Sequence, residues 1–428
     1  AVFELTATEH LGSSELIVAA ESAGGRARIT EAISVRPATP YRVGLRTGSF
    51  VEAGFSLARQ RDLVSEYGQV LLGFARSPLV WMQGLRTYLE HYPYECTEQL
   101  LSKAMPALIA VGQDQRQRPD LAPITQAFNL LRQRQNESGG FGQWASNLVV
   151  QPEISVYAAD FLIEAGERGL AVPRDLLEHS LRFLHRVAVG PAEGLTELRT
   201  RARAIYLLTR SGQVTTAPLM ATIEQLEKHH QESWHSDLVA AYLGASRTLM
   251  KQEKAGKALL TAVPWATLHA TPTPMETGLY EDALSHDAEL LTLLSRHAPE
   301  TISRLPDTLL PELGRRISEN QYHSLSAALM IRAFSGYSQS TAHAGNTLSA
   351  ELGMPGKESQ PLVLQPVTEV VLGWEKIILR QEKAGTPAFY QLTEAGFDRL
   401  PPADSLTQGL EITREYVDDK GQVVSQLQ

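Results

Sequence analysis

Residues 77–335 form a continuous succession of segments in which apolar residues recur every three or four positions, and this run limits the possible folds more than any other feature. Such spacing predicts amphipathic helices. The first segment starts at Pro78, a residue type favoured at helix starts, and the second starts at Cys96. Further helices are predicted near residues 121–135, 153–167, 174–188, 197–211, 215–229, 234–249, 251–262, 280–298, 302–316 and 320–336. About a dozen helices of ordinary length are therefore expected.

The sequences on both sides of this run predict antiparallel β-strands. Before it, and again after Gly336, apolar and polar residues alternate between glycine and proline residues. A period of two with such boundaries is typical of half-buried strands. The strand candidates are residues 3–8, 14–19, 26–35, 347–352, 360–366, 369–380, 389–392 and 409–412. The helical run thus separates two regions of β-structure.

Composition excludes several classes of protein. The 428 residues are enough for two or three domains with a large core. A net charge of −9 gives no basic surface, so nucleic acid is not an expected partner. No window approaches the ~18 apolar residues of a membrane span. The chain starts without a methionine or a signal peptide, so we expect it to be a piece of a longer protein.

Cys96 is the only cysteine, and it precedes a glutamine by three residues in the segment Tyr92-Pro93-Tyr94-Glu95-Cys96-Thr97-Glu98-Gln99. This spacing puts the side chains of Cys96 and Gln99 within reach of each other on one helical turn. Attack of the thiolate on the Gln99 amide would expel ammonia and leave an internal thioester, which is an activated acyl donor for amines or hydroxyls. The alternative is that Cys96 is a small buried hydrophobic residue, as most free cysteines are.

The segment around Cys96 resembles the Cys-x-Glu-Gln thioester segment of the alpha-2-macroglobulin and complement superfamily, and the bacterial alpha-2-macroglobulins are the most similar branch. Two further segments, Gly139-Gly140-Phe141-Gly142-Gln143-Trp144 and residues 155–162, resemble the sequence that follows the thioester helix in that family. Residues 395–398 and 410–416 are similar to the bacterial branch after its thioester domain. The resemblance covers most of the chain and implies a C-terminal fragment around the thioester domain.

The resemblance and the helical periodicity together imply a mixed multidomain fold. An α/α toroid of about twelve helices is expected as an insertion in a small antiparallel β domain of the CUB type, with β-sandwich pieces of the macroglobulin type at either end. The implied domains are residues 1–37 (last strands of a macroglobulin-like domain), 38–76 (first half of the CUB-like domain), 77–335 (thioester toroid), 336–396 (second half of the CUB-like domain) and 397–428 (start of a truncated macroglobulin-like domain).

By this resemblance, Cys96 supplies the sulfur of the thioester and Gln99 supplies the acyl carbon. Glu98 belongs to the motif, although its role is not defined by the sequence. Water must be kept from the bond, because hydrolysis would convert Gln99 to glutamate and discharge the electrophile. Four aromatic residues are candidates for a shielding wall, with plain core packing as the alternative for each: Tyr92, Tyr94, Phe141 and Trp144. No metal and no cofactor are expected.

The resemblance also implies the target and the partners. Complement-type members carry a histidine between the Gly-Gly-Phe segment and the next helix, whereas residues 143–155 contain none. Amines are therefore the expected acceptors, which makes protein lysines the target. In the family, a protease cleaves a bait segment and the exposed thioester captures it, so the chain is expected to be part of an endopeptidase inhibitor and not an enzyme. Target proteases and a penicillin-binding protein are the implied partners, in the periplasm, with the inner membrane reached through an anchor N-terminal to this chain.

Several other interpretations stay open. The chain could be a non-covalent binding scaffold of the bacterial envelope with an unreacted Cys96. A Cys-His hydrolase would pair Cys96 with His91 or His323. An α/α-toroid enzyme acting on glycans or lipids would need paired acidic residues in a cleft, and no convincing pair is present. The run of arginines at residues 199–203 is interpreted as a solvated helix face.

Overall fold

The computed structural model describes residues 11–37, 39–111, 119–145, 149–268, 282–340, 347–385 and 387–401, together with 413, 415, 417, 418 and 420–423. The chain divides into two compact units. One unit contains residues 1–41, 61–67 and 396–428, and the other contains residues 42–60 and 68–395. This division is coarser than the five predicted domains, whose boundaries remain a prediction. The predicted strands at residues 3–8 and 409–412 lie outside the described residues.

In the first unit, strands β1 (Gly12–Ser22) and β2 (Gly25–Val35) form an antiparallel hairpin. The two strands are present as predicted, but the predicted half-burial is wrong. Ile17 is 46% exposed and Ile29 is 61% exposed. The reason is that the packing of these two strands, in the part of the chain that the structure describes, is very largely with each other.

Residues 61–67 belong to the same unit through contacts with the segment that begins at Gly396. Arg61 and Asp398 form a two-pronged ion pair, with nitrogen–oxygen distances of 2.8 and 3.1 Å. The ring of Phe397 packs edge-on against both Tyr41 and Tyr67. These contacts connect three separate stretches of the sequence.

The second unit contains two four-stranded sheets, and each combines strands from before and after the helical run. Their orders are β3-β10-β5-β8 and β4-β9-β6-β7. The strands are β3 (Arg42–Phe50), β4 (Gly54–Ala58), β5 (Gln69–Ala75), β6 (Leu348–Gly353), β7 (Gln360–Leu362), β8 (Thr368–Glu369), β9 (Lys376–Gln381) and β10 (Ala388–Gly396). The helical run is therefore enclosed in sequence by strands that pair with one another.

Twelve α-helices lie between β5 and β6 in the described residues, and they confirm the prediction of a helical run between strands. They are α1 (Met82–Glu90), α2 (Thr97–Ala110), α3 (Ala122–Arg134), α4 (Pro152–Glu167), α5 (Arg174–Val189), α6 (Leu195–Arg210), α7 (Thr216–His229), α8 (Leu238–Leu249), α9 (Glu253–Ala262), α10 (Ala283–His297), α11 (Leu309–Ser318) and α12 (Ser324–Ser340). None of the helices that the structure describes is long and apolar enough to cross a bilayer.

The even-numbered helices contact one another in a closed cycle. Each packs against the next even-numbered helix, and α12 packs against α2. Burial agrees with this order, because α4, α10 and α12 are buried over most of their length while α5 and α9 bury only one face. The odd-numbered helices α3, α5 and α9 each pack against an even-numbered neighbour. Helix α2, which begins just after Cys96, is thus one of the six helices of the cycle.

Trp81 connects the helices to the first sheet. Its ring is fully buried, and its indole N–H donates to the carbonyl oxygen of Tyr390 in β10 at 2.9 Å. Phe334 of α12 and Phe389 of β10 pack edge-on against it, with ring centroids 5.4 and 5.5 Å away. A buried tryptophan needs such a partner for its N–H. This contact holds the cycle of helices against β10, which follows it in the sequence and pairs with the preceding strands β3 and β5.

Candidate functional site

The loop after α3 is shaped by two consecutive glycines. Gly139 has a φ of +80°, and a Cβ added there would lie 2.2 Å from the carbonyl oxygen of His179. A Cβ added at Gly140 would lie 2.6 Å from the ring of Phe183. Only glycine combines a left-handed backbone with so close an approach to α5. The pair therefore lets the loop pass directly against that helix.

The residues that follow the glycines are bonded to the first residue of α2. The Thr97 hydroxyl donates to the carbonyl oxygen of Gly142 at 2.6 Å. The Thr97 N–H donates to the carbonyl oxygen of Gln143 at 2.9 Å. The N-terminal N–H groups of a helix have no partner within the helix, so a loop carbonyl here satisfies one of them. The loop thereby fixes the position of Cys96, which directly precedes Thr97.

Cys96 caps α2, and Gln99 folds back over it. The Cys96 side chain is buried, and Gln99 is the third residue of the helix. The side-chain oxygen Oε1 of Gln99 accepts the N–H of Cys96 at 3.0 Å, which is the reciprocal geometry of a capping box. The structure therefore places the side-chain amide of Gln99 against the backbone of Cys96, on the turn that begins with Cys96.

Opposing influences act on the Cys96 thiol. Burial raises its pKa, and the carboxylate of Glu98 acts in the same direction. Backbone N–H groups of Gln99 and Glu98 and the positive charge of Arg134 lower it. Burial is the largest effect and keeps the pKa above its ordinary value. A buried thiol of this kind is not reactive by ionisation alone.

Arg134, the last residue of α3, bonds to the residues on both sides of Cys96. Its Nη2 donates to the carbonyl oxygen of Glu95 at 2.9 Å, and its Nη1 donates to Thr97 Oγ1 at 3.3 Å. The guanidinium also lies over the ring of Trp144, 6.0 Å from its centre. Arg134 lies 38 positions from Cys96 in the sequence, and no local pattern predicts this contact.

Four tyrosines form a chain of edge-on ring contacts, and the third of them lies beside Gln99. The centroids of Tyr322 and Tyr88 are 4.9 Å apart, those of Tyr88 and Tyr92 are 5.5 Å apart, and those of Tyr92 and Tyr94 are 5.8 Å apart. Burial raises the pKa of the Tyr92 hydroxyl, and a hydrogen bond with the Gln99 side chain acts in the opposite direction. Of the aromatic candidates, Tyr92 is thus the one in direct contact with Gln99.

The other three aromatic candidates differ in their exposure. Phe141 is fully buried, and its N–H donates to Ser155 Oγ at 2.8 Å, so its ring belongs to the core of the helical region. Tyr94 is 63% exposed and Trp144 is 47% exposed. Both lie at the surface beside the start of α2, where Trp144 covers Arg134 and Tyr94 contacts Tyr92.

Comparison with known proteins identifies the family. An alpha-2-macroglobulin homolog of Yersinia pestis is 32% identical over 99% of this chain, and an alpha-2-macroglobulin of Rickettsia conorii is 28% identical over the same share. The chain belongs to the bacterial alpha-2-macroglobulin family. It spans only 22% and 23% of the length of these two relatives. No protein-family model matches the sequence.

Solved structures of alpha-2-macroglobulins share the fold. Native Escherichia coli alpha-2-macroglobulin, spanning domain MG7 to the C-terminus, superposes with a TM-score of 0.71 at 20% identity, over 97% of this chain and 67% of that one. Salmonella alpha-2-macroglobulin reacted with methylamine superposes with a TM-score of 0.69 at 21% identity, over 98% of this chain and 28% of that one. The arrangement of helices and antiparallel sheets therefore matches the C-terminal region of bacterial alpha-2-macroglobulins.

In this member of the alpha-2-macroglobulin family, the carboxylate of Glu98 is part of a buried polar cluster. Its carboxylate accepts the hydroxyl of Ser102 at 2.6 Å and that of Ser324 at 2.9 Å. Ser102 in turn lies 3.2 Å from the hydroxyl of Tyr157. Burial raises the pKa of Glu98, while these hydrogen bonds and the charge of His323 lower it. Glu98 thus ties the first turn of α2 to the start of α12.

The two histidines considered as partners of Cys96 make other contacts. His91 Nδ1 lies 2.9 Å from the carbonyl oxygen of Thr87, and His323 Nε2 lies 3.3 Å from Asp282 Oδ2. Neither contact supports a thiol–imidazole pair with Cys96. Within the described ranges no group of three or more His, Cys, Asp or Glu residues is arranged to hold a metal ion.

Some residues of the site that were not predicted could be recognised from local sequence spacing, and others could not. Ser102 lies four residues after Glu98, so the helical spacing alone would have placed the two side chains together. Ser324 and Tyr322 are more than 200 residues from the motif. Their contacts depend on the packing of α12 against α2, and no local sequence pattern predicts that packing.

Proposed function

We propose that Cys96 and Gln99 form an internal thioester that acylates amines, and that the chain is the covalent-capture part of a protease inhibitor. The observation that carries the proposal is the Gln99 side chain, which lies folded over Cys96 and accepts its N–H. A side-chain amide fixed against the backbone of Cys96 supports attack by the sulfur of the same residue, because groups that are already positioned react faster. The spacing alone did not guarantee this, because an exposed Gln99 could extend into solvent.

The surroundings of the pair suit an acyl donor that must survive in water. Cys96 is 3% exposed, and Tyr92 is half-buried beside Gln99. Exclusion of water protects a reactive acyl group from hydrolysis. When the thioester forms, the sulfur of Cys96 bonds to the side-chain carbonyl carbon of Gln99. The amide nitrogen leaves with the thiol proton as ammonia.

Amines are the proposed acceptors. Residues 143–155, between the Gly-Gly-Phe segment and α4, contain no histidine that could relay the acyl group to a hydroxyl. An amine attacks the acyl carbon directly, which makes surface lysines of a protease the proposed target. Methylamine, with which the Salmonella relative was reacted, is the matching small probe.

The wider assignment follows from the family. We propose that the six even-numbered helices are the inner ring of an α/α toroid, supported by their closed cycle of contacts. The two sheets that enclose this run in sequence suit a CUB-like domain. A place in the periplasm, an anchor to the inner membrane and a penicillin-binding protein partner are further parts of the proposal, and their support is membership of the bacterial family.

Intact mass tests the thioester. The folded protein should weigh less than its encoded sequence by the mass of one ammonia. Addition of methylamine should then add the mass of one methylamine, at Gln99, and release one titratable thiol. The matched control is Cys96→Ser, which should show neither the loss nor the addition.

A different result would favour the alternative of a non-covalent scaffold. This result is the full encoded mass, a free thiol before any amine is added, and an intact Gln99 by peptide mapping. Peptide mapping is required because hydrolysis of a formed thioester also frees the thiol but leaves glutamate at position 99. Fresh, untreated protein with Gln99 unchanged contradicts the proposal, whereas glutamate at that position supports it.

A further inference from the structure

Arg134 forms hydrogen bonds to the residues on both sides of Cys96, and these bonds keep its charge near the sulfur. One nitrogen bonds to the residue before Cys96, through the carbonyl oxygen of Glu95, and another bonds to the residue after it, through Thr97 Oγ1. A planar guanidinium can make two such bonds at fixed positions, and its positive charge then stays near the sulfur. The two hydrogen bonds therefore hold the guanidinium against the segment that contains the reacting sulfur of Cys96.

The environment of this guanidinium keeps it in place and limits its hydration. Trp144 lies over its face with 6.0 Å between the guanidinium carbon and the ring centre. Its Nε is buried, and in the described part of the protein it has no hydrogen-bond partner. A cation with incomplete solvation interacts more strongly with a nearby charge than one in water does. Burial lowers the pKa of Arg134, and a charged Cys96 opposes that shift, so the interaction of the two groups is mutual.

We infer that Arg134 is a positioning residue that stabilises the Cys96 sulfur as it leaves the acyl group. This inference rests on the proposed thioester and assigns a residue to the transfer step. The amine nitrogen bonds to the carbonyl carbon of Gln99, and the tetrahedral intermediate then breaks its bond to sulfur. The electron pair stays on sulfur as a thiolate, and the proton of the amine ends on the thiolate or in solvent.

The Cys96 sulfur becomes charged only during the transfer. Before the transfer, the thioester sulfur is neutral and burial costs nothing electrostatically. As the bond breaks, negative charge develops at a buried atom, where it is expensive unless a positive group is already in place. The N–H groups of Glu98 and Gln99 meet part of that need, and Arg134 is the full positive charge that acts on the same sulfur. A thiol of lower pKa is also the better leaving group.

The test uses the whole chain and compares Arg134→Gln, Arg134→Lys and a control, Arg132→Gln. Arg132 is on the same helix but is exposed and pairs with Asp175. Two quantities are measured: the rate of thiol release by methylamine, and the pH midpoint for alkylation of the released Cys96 thiol. We expect Arg134→Gln to slow release about tenfold and to raise the midpoint by about one pH unit. Arg134→Lys should retain most of both values, and Arg132→Gln should match the unchanged protein.

The outcomes separate this inference from the proposed function. Loss of ammonia in every protein, with unchanged release rate and midpoint in folded Arg134→Gln, overturns the inference alone. Full encoded mass with a free thiol contradicts the proposed function, and the alkylation midpoint then still reports whether Arg134 lowers the thiol pKa. If Arg134→Gln does not fold, Arg134→Lys decides, because it retains the charge. A midpoint raised by a full unit in folded Arg134→Lys would overturn the role of charge.

Discussion

The hydroxyl of Tyr92 lies beside the side-chain amide of Gln99, and the hydrogen bond between them opposes the rise that burial causes in the pKa of Tyr92. The ring of Tyr92 packs edge-on against Tyr88, and the ring of Tyr88 packs edge-on against Tyr322. Tyr94, two residues further on, contacts the same ring but is largely exposed. The two tyrosines therefore have similar positions in the sequence and different positions relative to the site.

We expect Tyr92→Phe to open the site without unfolding it. The substitution removes the hydrogen bond to Gln99 and retains the ring contacts. A hydrogen bond of about 1 kcal/mol corresponds to about a fivefold change, so thiol release by methylamine should become about five times faster. Tyr94→Phe is the control and should leave the rate unchanged. Equal rates in all three proteins would show that the Tyr92 hydroxyl does not restrict access.

Single residues of the site were predictable only where the reason is local. For Cys96 and Gln99 the spacing predicts that both side chains lie on one helical turn, and the resemblance to the Cys-x-Glu-Gln segment favours a thioester over an unreacted cysteine. Trp144 was selected as an aromatic shield, yet its ring covers Arg134, a contact that depends on how the loop after α3 folds back. Glu98 was known to belong to the motif, but its partner Ser324 lies 226 positions away.

Among the elements, the loop after α3 has the most demanding backbone. Gly139 and Gly169 share a φ of +80°, but only Gly139 approaches another part of the chain. The Gly139 backbone lies against α5, and the loop that it starts carries the carbonyl groups that bond to Thr97. A change at this glycine should therefore reach the start of α2.

We predict that Gly139→Ala destabilises the protein by more than the backbone strain alone. A left-handed alanine costs about 1 kcal/mol, and the collision of its Cβ with the His179 carbonyl adds to that cost. Gly169→Ala, where no atom lies within 4 Å of an added Cβ, measures the strain by itself. Thermal unfolding should show a larger loss for Gly139→Ala, together with faster thiol release. Equal losses in both variants would mean that α5 yields to the added methyl group.

The helices were the most predictable elements, since each buries an apolar stripe of its own. The predicted helix at residues 174–188 corresponds to α5 (Arg174–Val189), and the one at 153–167 to α4 (Pro152–Glu167). The interpretation of residues 199–203 as a solvated face was wrong. Arg199 and Arg201 are 6% and 8% exposed, and Arg199 pairs with Asp237. Periodicity identifies apolar stripes but not charged residues whose partners are on other helices.

At the scale of the helical region, the closed cycle of helices surrounds a network of charges. Asp160 of α4 accepts from Arg203 and Arg210 of α6 and from Arg332 of α12. Glu289 of α10 pairs with Arg203 and Arg332. Buried charges of one sign are tolerated only when others compensate them. Four helices of the cycle are thereby joined through a few ion pairs, which explains why Arg203 and Arg210 of α6 face inward.

The same network makes the stability of the protein dependent on pH. Nearby charges of Arg296 and Arg210 oppose the burial of Glu164 and hold its pKa at about 2, below its ordinary 4.5. His297 is also affected: burial, followed by the charges of Arg296 and Arg210, lowers its pKa from 6.5 to about 3. Its Nε2 lies 2.9 Å from the hydroxyl of Tyr206. Both groups therefore bind a proton more readily in the unfolded chain than in the folded one.

Acid should consequently destabilise the protein, beginning at the histidine. Because the pKa of His297 is lower in the folded state, its contribution is complete above pH 6.5 and is lost as the pH falls toward 3. Each such proton changes the free energy of unfolding by at most about 1.4 kcal/mol per pH unit. We expect the free energy of unfolding, measured with denaturant, to fall between pH 6.5 and 5, before the buried carboxylates titrate. His297→Gln should reduce the pH dependence of this free energy in the same range. His185→Gln, at an exposed position of α5, should keep the slope of the unchanged protein. Parallel curves for all three proteins would locate the acid sensitivity in other groups.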